Sequence, residues 1–99
     1  DCCEIHTGPY ASAFATAGGD FRVGVLAGAL ERVSDAGERI TGLGMRFNAG
    51  HALNYANVRP IAELMEVDEL HIGHAIVSRA VFVGMRKAVE EMKALVVGI

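Results

Sequence analysis

An α/β fold of consecutive β/α units is predicted for this chain of 99 residues by three observations. Short extended segments alternate with helical ones, which implies helical crossovers and a parallel sheet. Each strand has one apolar and one polar parity, whereas parallel strands covered on both faces read as continuous apolar runs. Two Gly-His pairs fall where strands stop, Gly50-His51 in RFNAGHALNY and Gly73-His74 in ELHIGHAIVSRA. A polar face ending in such pairs suits the lumen and mouth of a (β/α)8 TIM barrel, which carries its chemistry at the C-terminal strand ends.

The first strand is 2–6, CCEIH, followed by a Gly/Ala/Ser-rich stretch over roughly 7–19 that reads as a loop. A helix is predicted from about Asp20 to Thr41 with Asp20 as N-cap. Val23, Leu26, Leu30, Val33, Gly37 and Ile40 recur at helical spacing and form its buried face. Gly42 and Gly44 end it and lead into a strand, Met45–Ala49. The next helix starts after Asn57, which puts Pro60 in a first turn where a missing N–H costs little, and ends near Met65. A strand follows at about 69–73, and the remainder is helical. Gly84 divides that remainder into a short helix, 75–83, and a longer one to about 96 with Met85, Ala88, Val89, Met92, Leu95 and Val96 on one side.

Across the strands, one parity holds Glu4, His6, Arg46, Asn48, His71 and Gly73; the other holds Cys3, Ile5, Met45, Phe47, Ala49, Leu70 and Ile72. The second parity suits helices packed outside, the first a lumen. A complete barrel takes about 250 residues, so three units are either a piece of one or a small open α/β domain. The chain begins inside a strand and without methionine, which reads as a fragment lacking its N-terminal part.

Composition narrows the function. With 52% hydrophobic residues and only two prolines, the chain has material for a packed core. A net charge of −3 without a basic cluster argues against nucleic acid as a partner. No run of 18 uncharged apolar residues is present, so no membrane span is expected. Cys2 and Cys3, adjacent in a strand, point to opposite faces; they read as small apolar residues of a reducing compartment, hence a cytoplasmic protein. The methionines sit at core spacing and need no cofactor. The charged residues of the last helices, Arg79, Arg86, Lys87, Glu90, Glu91 and Lys93, read as a solvated face.

A glycine at a strand end, followed at once by a helix, exposes backbone N–H groups and the positive end of the helix dipole, a site for an anion. Barrels usually place phosphate in the loops after strands 7 and 8, beside a short extra helix. If these are the last three units, Gly50-His51 follows strand 7, Gly73-His74 follows strand 8, and 75–83 is the extra helix. Each glycine is then expected to bring N–H groups to one phosphate. The bland alternative is two ordinary turn glycines and two surface histidines. Glu4, lumenal beside His6, can stabilise a developing cation or orient a proton-transfer group, or it can simply pair with Arg46. A zinc site from His6, His51, His71 and His74 is conceivable, but no ligand spacing supports it and no metal is expected.

EIHTGPYA (4–11), NAGHALNYANV (48–58), ELHIGHAIVSRAV (69–81) and AVEEMKAL (88–95) resemble, in the same order, the pyridoxine 5′-phosphate synthase family of bacterial vitamin B6 synthesis. The likeness is weakest over 12–40. It implies that residues 1–99 are a partial barrel domain holding strands 6–8 and their helices. It also implies an enzyme that joins 1-deoxy-D-xylulose 5-phosphate to 3-amino-2-oxopropyl phosphate, closes a pyridine ring, and releases phosphate and water. The partners it implies are phosphorylated small molecules and further copies of the chain in a homo-oligomer. By motif, Glu4 would steady transition-state charge and His51 would be the proton donor. Ala52, Gly73 and His74 would hold the amino ketone phosphate. Ala52 stands where many members have glycine, which works only if its φ is allowed, and His71 stands where asparagine is frequent. The family's general bases lie on earlier strands, so the 99-residue piece alone is expected to be inactive. The competing reading is a non-catalytic phosphate-binding or assembly module.

Overall fold

The structure, a computed structural model, describes residues 2–98. It is an α/β arrangement of three parallel strands and five helices in the order β1 (Cys2–His6), α1 (Gly8–Thr16), α2 (Gly24–Gly42), β2 (Arg46–Gly50), α3 (Val58–Ala62), β3 (Val67–His71), α4 (His74–Val83) and α5 (Met85–Val97). The strands lie in the sheet in chain order, β1-β2-β3, with β2 parallel to both neighbours. Glu4 pairs with Asn48 and Asn48 with Glu69; His6 pairs with Gly50 and Gly50 with His71. Between β2 and β3 the register slips, because Val67 faces Phe47 while Glu69 faces Asn48, and Asp68 is left over. This irregularity sets Glu69 and His71 on the same face as Glu4 and Asn48.

The apolar parity faces the helices. Phe47 and Ala49 of the central strand are fully buried, in a core with Leu26, Val33, Ile40, Val58, Ile61 and Met92. Of the predicted face, Leu26, Val33, Gly37 and Ile40 on α2 are buried and Leu30 is half-buried, while Val23, just before the helix, is exposed. Gly37 has a packing reason: a Cβ there would lie inside the ring of Phe47, so only glycine lets that ring rest directly on the helix.

Several element boundaries differ from the sequence expectation. Residues 8–16 are helical, not a loop. Pro9 sits in the first turn of α1, alanine is the strongest helix former, and burial of Tyr10 and Ala13 supplies the packing. Gly18 and Gly19, both at positive φ, follow that helix. Consequently α2 begins at Gly24, and Asp20 caps no helix. Its carboxylate instead accepts the Arg22 backbone N–H at 2.9 Å and pairs with the Arg22 guanidinium, closing a local turn. β2 runs one residue later than predicted and β3 two residues earlier, so Ile72 and Gly73 form the link to α4 rather than the strand end. α3 starts after Asn57 as predicted but ends at Ala62. Gly84, with φ 85°, separates α4 from α5. Arg79 and Glu91 do not merely face solvent: Arg79 Nε donates to Glu91 Oε1 at 2.9 Å, tying α4 to α5. No helix of the described residues is long and apolar enough to cross a membrane.

Candidate active site

The C-terminal ends of the strands open on a cleft of about 650 Å³. Glu4 reaches it from β1, His51 and Ala52 from the turn after β2, His71 from the end of β3, and Gly73 and His74 from the link into α4. Glu4, His51, Ala52, Gly73 and His74, the five site residues singled out in the sequence, therefore line one space. Gly50 does not line it. A Cβ on Gly50 would meet the Glu4 carboxylate at 2.9 Å and His71 Cβ at 3.0 Å, so this glycine makes room for those side chains to close over the strand. The two Gly-His pairs thus have different surroundings. Around Gly73 nothing stands within 4 Å of a Cβ position, so a side chain there would project into open cleft.

Glu4 pairs with His71, not with Arg46. The His71 Nδ1 to Glu4 Oε1 distance is 2.5 Å, and on the other side of the ring Nε2 lies 3.4 Å from Glu69 Oε1. Arg46 instead lies 3.8 Å from Asp68, an exposed pair of little energetic weight. Bracketed by two carboxylates, the imidazole of His71 is held above its ordinary pKa, chiefly by the hydrogen bond with Glu69 and then by the charge and hydrogen bond of Glu4, the nearer group. Glu69 went unremarked in the sequence, although its spacing of two from His71 puts both on one strand face. Asn48 sits beneath this group, 4% exposed, its Nδ2 3.5 Å from Glu69 Oε1. Its buried Oδ1 has no hydrogen-bond partner among the described residues.

His51 is presented by a turn with unusual backbone angles, φ 91° at His51 and 61° at Ala52, both in the region that glycine favours. The ring of His51 stacks on that of His6, centroids 3.8 Å apart. His6 Nδ1 accepts the Gly8 backbone N–H at 3.1 Å. Thr7, fully buried, donates its backbone N–H to the Gly50 carbonyl at 2.8 Å and places its hydroxyl 2.6 Å from the His51 carbonyl oxygen. On the far side of the turn, Asn57 Nδ2 donates to the Ala52 carbonyl at 3.2 Å, and Asn57 Oδ1 accepts the Asn54 N–H at 2.7 Å. Tyr10 closes the arrangement by donating its hydroxyl to the Asn57 carbonyl at 2.7 Å. Burial pushes the Tyr10 pKa up to about 12, so the phenol remains a donor throughout the neutral range. Tyr55 donates to the Ala88 carbonyl at 2.7 Å and anchors the same loop to α5. Thr7 and Asn57 were not singled out in the sequence, since neither is titratable and their work is to fix backbone carbonyls.

Among the described residues no group of three or more His, Cys, Asp or Glu side chains is placed to hold a metal ion. The site offers an imidazole in an open cleft, a carboxylate beside a histidine of raised pKa, and a helix N-terminus at the cleft wall. Those elements suit acid–base chemistry on an anionic substrate.

A family model described as pyridoxal phosphate biosynthesis protein PdxJ matches residues 1–98. Over 93 residues the chain is 66% identical to a pyridoxine 5′-phosphate synthase of Aromatoleum aromaticum, which covers 94% of this chain and 37% of that protein. A pyridoxine 5′-phosphate synthase of Dechloromonas aromatica is 61% identical with the same coverage. One of Rhodopirellula baltica is 50% identical over 95 residues, 96% of this chain and 35% of that protein. The chain thus spans a little over a third of the length of these curated relatives.

Proposed function

Because the chain belongs to the pyridoxal phosphate biosynthesis protein PdxJ family, we propose that it forms the last three β/α units of a (β/α)8 barrel with pyridoxine 5′-phosphate synthase activity. In this reading residues 1–99 are a partial domain holding strands 6–8, and α4 is the short extra helix after the last strand. The catalysed reaction joins 1-deoxy-D-xylulose 5-phosphate to 3-amino-2-oxopropyl phosphate, with ring closure and loss of phosphate and water. The observation that carries the reading is the convergence of Glu4, His51, Ala52, Gly73 and His74, from three strand ends, on one cleft.

The roles follow from position. Backbone N–H groups at Ala52 and in the first turn of α4 receive the phosphate of the amino ketone, with the positive end of the α4 dipole behind them. His51, exposed on its turn, gives a proton to departing water or phosphate, as a positioned general acid. Glu4 faces the same space and steadies positive charge that develops as the ring closes. Its partner His71 keeps the carboxylate turned toward the cleft. Phosphorylated substrates fit a cytoplasmic enzyme. The exposed Val77, Val81 and Phe82 on α4 support burial of that face in a larger assembly, in keeping with a homo-oligomer.

In the complete barrel, His51→Asn lowers kcat by about 10²–10⁴, the usual contribution of a positioned acid–base group, with little change in thermal stability. Near-normal kcat with an unchanged pH profile would remove His51 from the mechanism. Phosphate binding by a complete, folded protein that shows no turnover would instead favour a module whose business is the anion alone.

A further inference from the structure

We infer that Thr7 and His6 are positioning residues for His51, holding its turn and its ring in the orientation that proton donation requires. This rests on the role proposed for His51. The two residues act on different parts of the same histidine. The Thr7 hydroxyl lies 2.8 Å from the Gly50 carbonyl, which the Thr7 backbone N–H also reaches at 2.8 Å, and 2.6 Å from the His51 carbonyl, its shorter contact. That carbonyl lies between two successive non-glycine residues at positive φ, a conformation the backbone does not hold unaided. A buried donor on the carbonyl between them, with Asn57 Nδ2 on the Ala52 carbonyl after them, supplies the restraint.

His6 restrains the ring. Its own orientation is set by the Gly8 N–H, which bonds to Nδ1 at 3.1 Å. Residue 8 has to be glycine for this to work: a Cβ there would fall against the His6 ring. So oriented, His6 presents its face to His51, with the rings inclined by 30°. The run His6-Thr7-Gly8 is therefore a clamp on a residue more than forty positions later in the chain, and each member has a separate geometric reason to be what it is. Glu4, two residues before His6 on the same strand face, reaches the same cleft, so β1 carries both a site carboxylate and the clamp for the site imidazole.

The test uses the full-length enzyme and three variants, Thr7→Val, Thr7→Ser and His6→Ala, alongside His51→Asn. Valine matches threonine in shape and lacks the hydroxyl; serine keeps it. Thr7→Val is expected to lower kcat by up to about 100-fold, the cost of misplacing a reacting group by about an ångström. It is also expected to flatten one limb of the pH profile of kcat. Thr7→Ser restores both. His6→Ala, at an exposed position, lowers kcat and alters the same limb without loss of fold, and it carries the test if Thr7→Val does not fold. A merely structural role would reduce the folded fraction and leave the shape of the profile and the rate per folded molecule as they were. If His51→Asn is impaired while His6→Ala keeps both rate and profile, the clamp is refuted and the role of His51 stands. If His51→Asn is itself unimpaired, the underlying reading has failed.

Discussion

Replacing Gly73 by valine separates the site from the fold. Gly73 has φ −128°, an angle open to any residue, and nothing lies within 4 Å of the position its Cβ would take. A Cβ therefore enters the cleft without striking the protein. The one local cost is at the N-cap of α4, where valine is a poorer residue than glycine, by about 1 kcal/mol. That cost is confined to a helix none of whose residues is buried. The ligand loses more. If the phosphate lies against the N–H groups of this turn, the isopropyl group holds it off at least one charge-assisted hydrogen bond, worth roughly 1.5–3 kcal/mol, or about 10- to 150-fold in affinity. Calorimetric titration of the full-length enzyme with the amino ketone phosphate, or a stable analogue, measures the change, and thermal unfolding checks the fold. Unchanged affinity in a folded Gly73→Val protein would mean that the phosphate sits elsewhere, and Gly73 would become an ordinary connector.

Ala52→Gly relieves a φ of 61° at a gain of about 1–2 kcal/mol, less 0.4–1 for the freer unfolded chain. A small rise in unfolding free energy, with a larger drop for Ala52→Val, is expected in denaturant titrations; no difference between the two would show that the turn carries no strain. His71, with its pKa raised by Glu69 and Glu4, stabilises this corner when protonated. That contribution is complete below the ordinary imidazole value of about 6.5 and disappears as pH rises through the raised folded value. NMR titration should place the His71 midpoint above the ordinary value and return it toward that value in Glu69→Gln; a midpoint at or below the ordinary value refutes the bracket. Tyr10→Phe leaves the Asn57 carbonyl without its buried donor and should cost about 1–3 kcal/mol in unfolding free energy; an unchanged midpoint and slope would show that water replaces the phenol.

Where a single periodicity decided the matter, the sequence was readable. The 3-and-4 spacing from Leu26 to Ile40 returned a helix and most of its buried face, and the alternation of Glu4, Asn48 and His71 against Ile5, Phe47 and Ala49 returned the two faces of the sheet. Residues 8–16 misled because GPYASAFAT is written in small residues that serve loops and helices alike. What makes it a helix is tertiary: Tyr10 reaches the Asn57 carbonyl, a partner 47 positions away. Asp20 misled for the opposite reason, since its strong local preference was met by a two-residue turn onto Arg22 before any helix began.

The residues that line the candidate cleft were legible as types and in part as places, while the groups that hold their turn were not. Glu4, His51, Gly73 and His74 announce themselves by chemistry or by position at a strand end. Thr7 and Asn57 do not, because a hydroxyl or an amide that serves a distant carbonyl leaves no mark in the local pattern. Yet the turn depends on them. An alanine at residue 52 is tolerable at positive φ only if the carbonyls around it are held, and they are held by groups from β1 and from the start of α3. If the proposed phosphate is bound at this turn, alanine at residue 52 does not loosen the grip. The restraint that glycine would make cheap is supplied here by hydrogen bonds from outside the turn, and the rigidity of His51 follows from the same bonds.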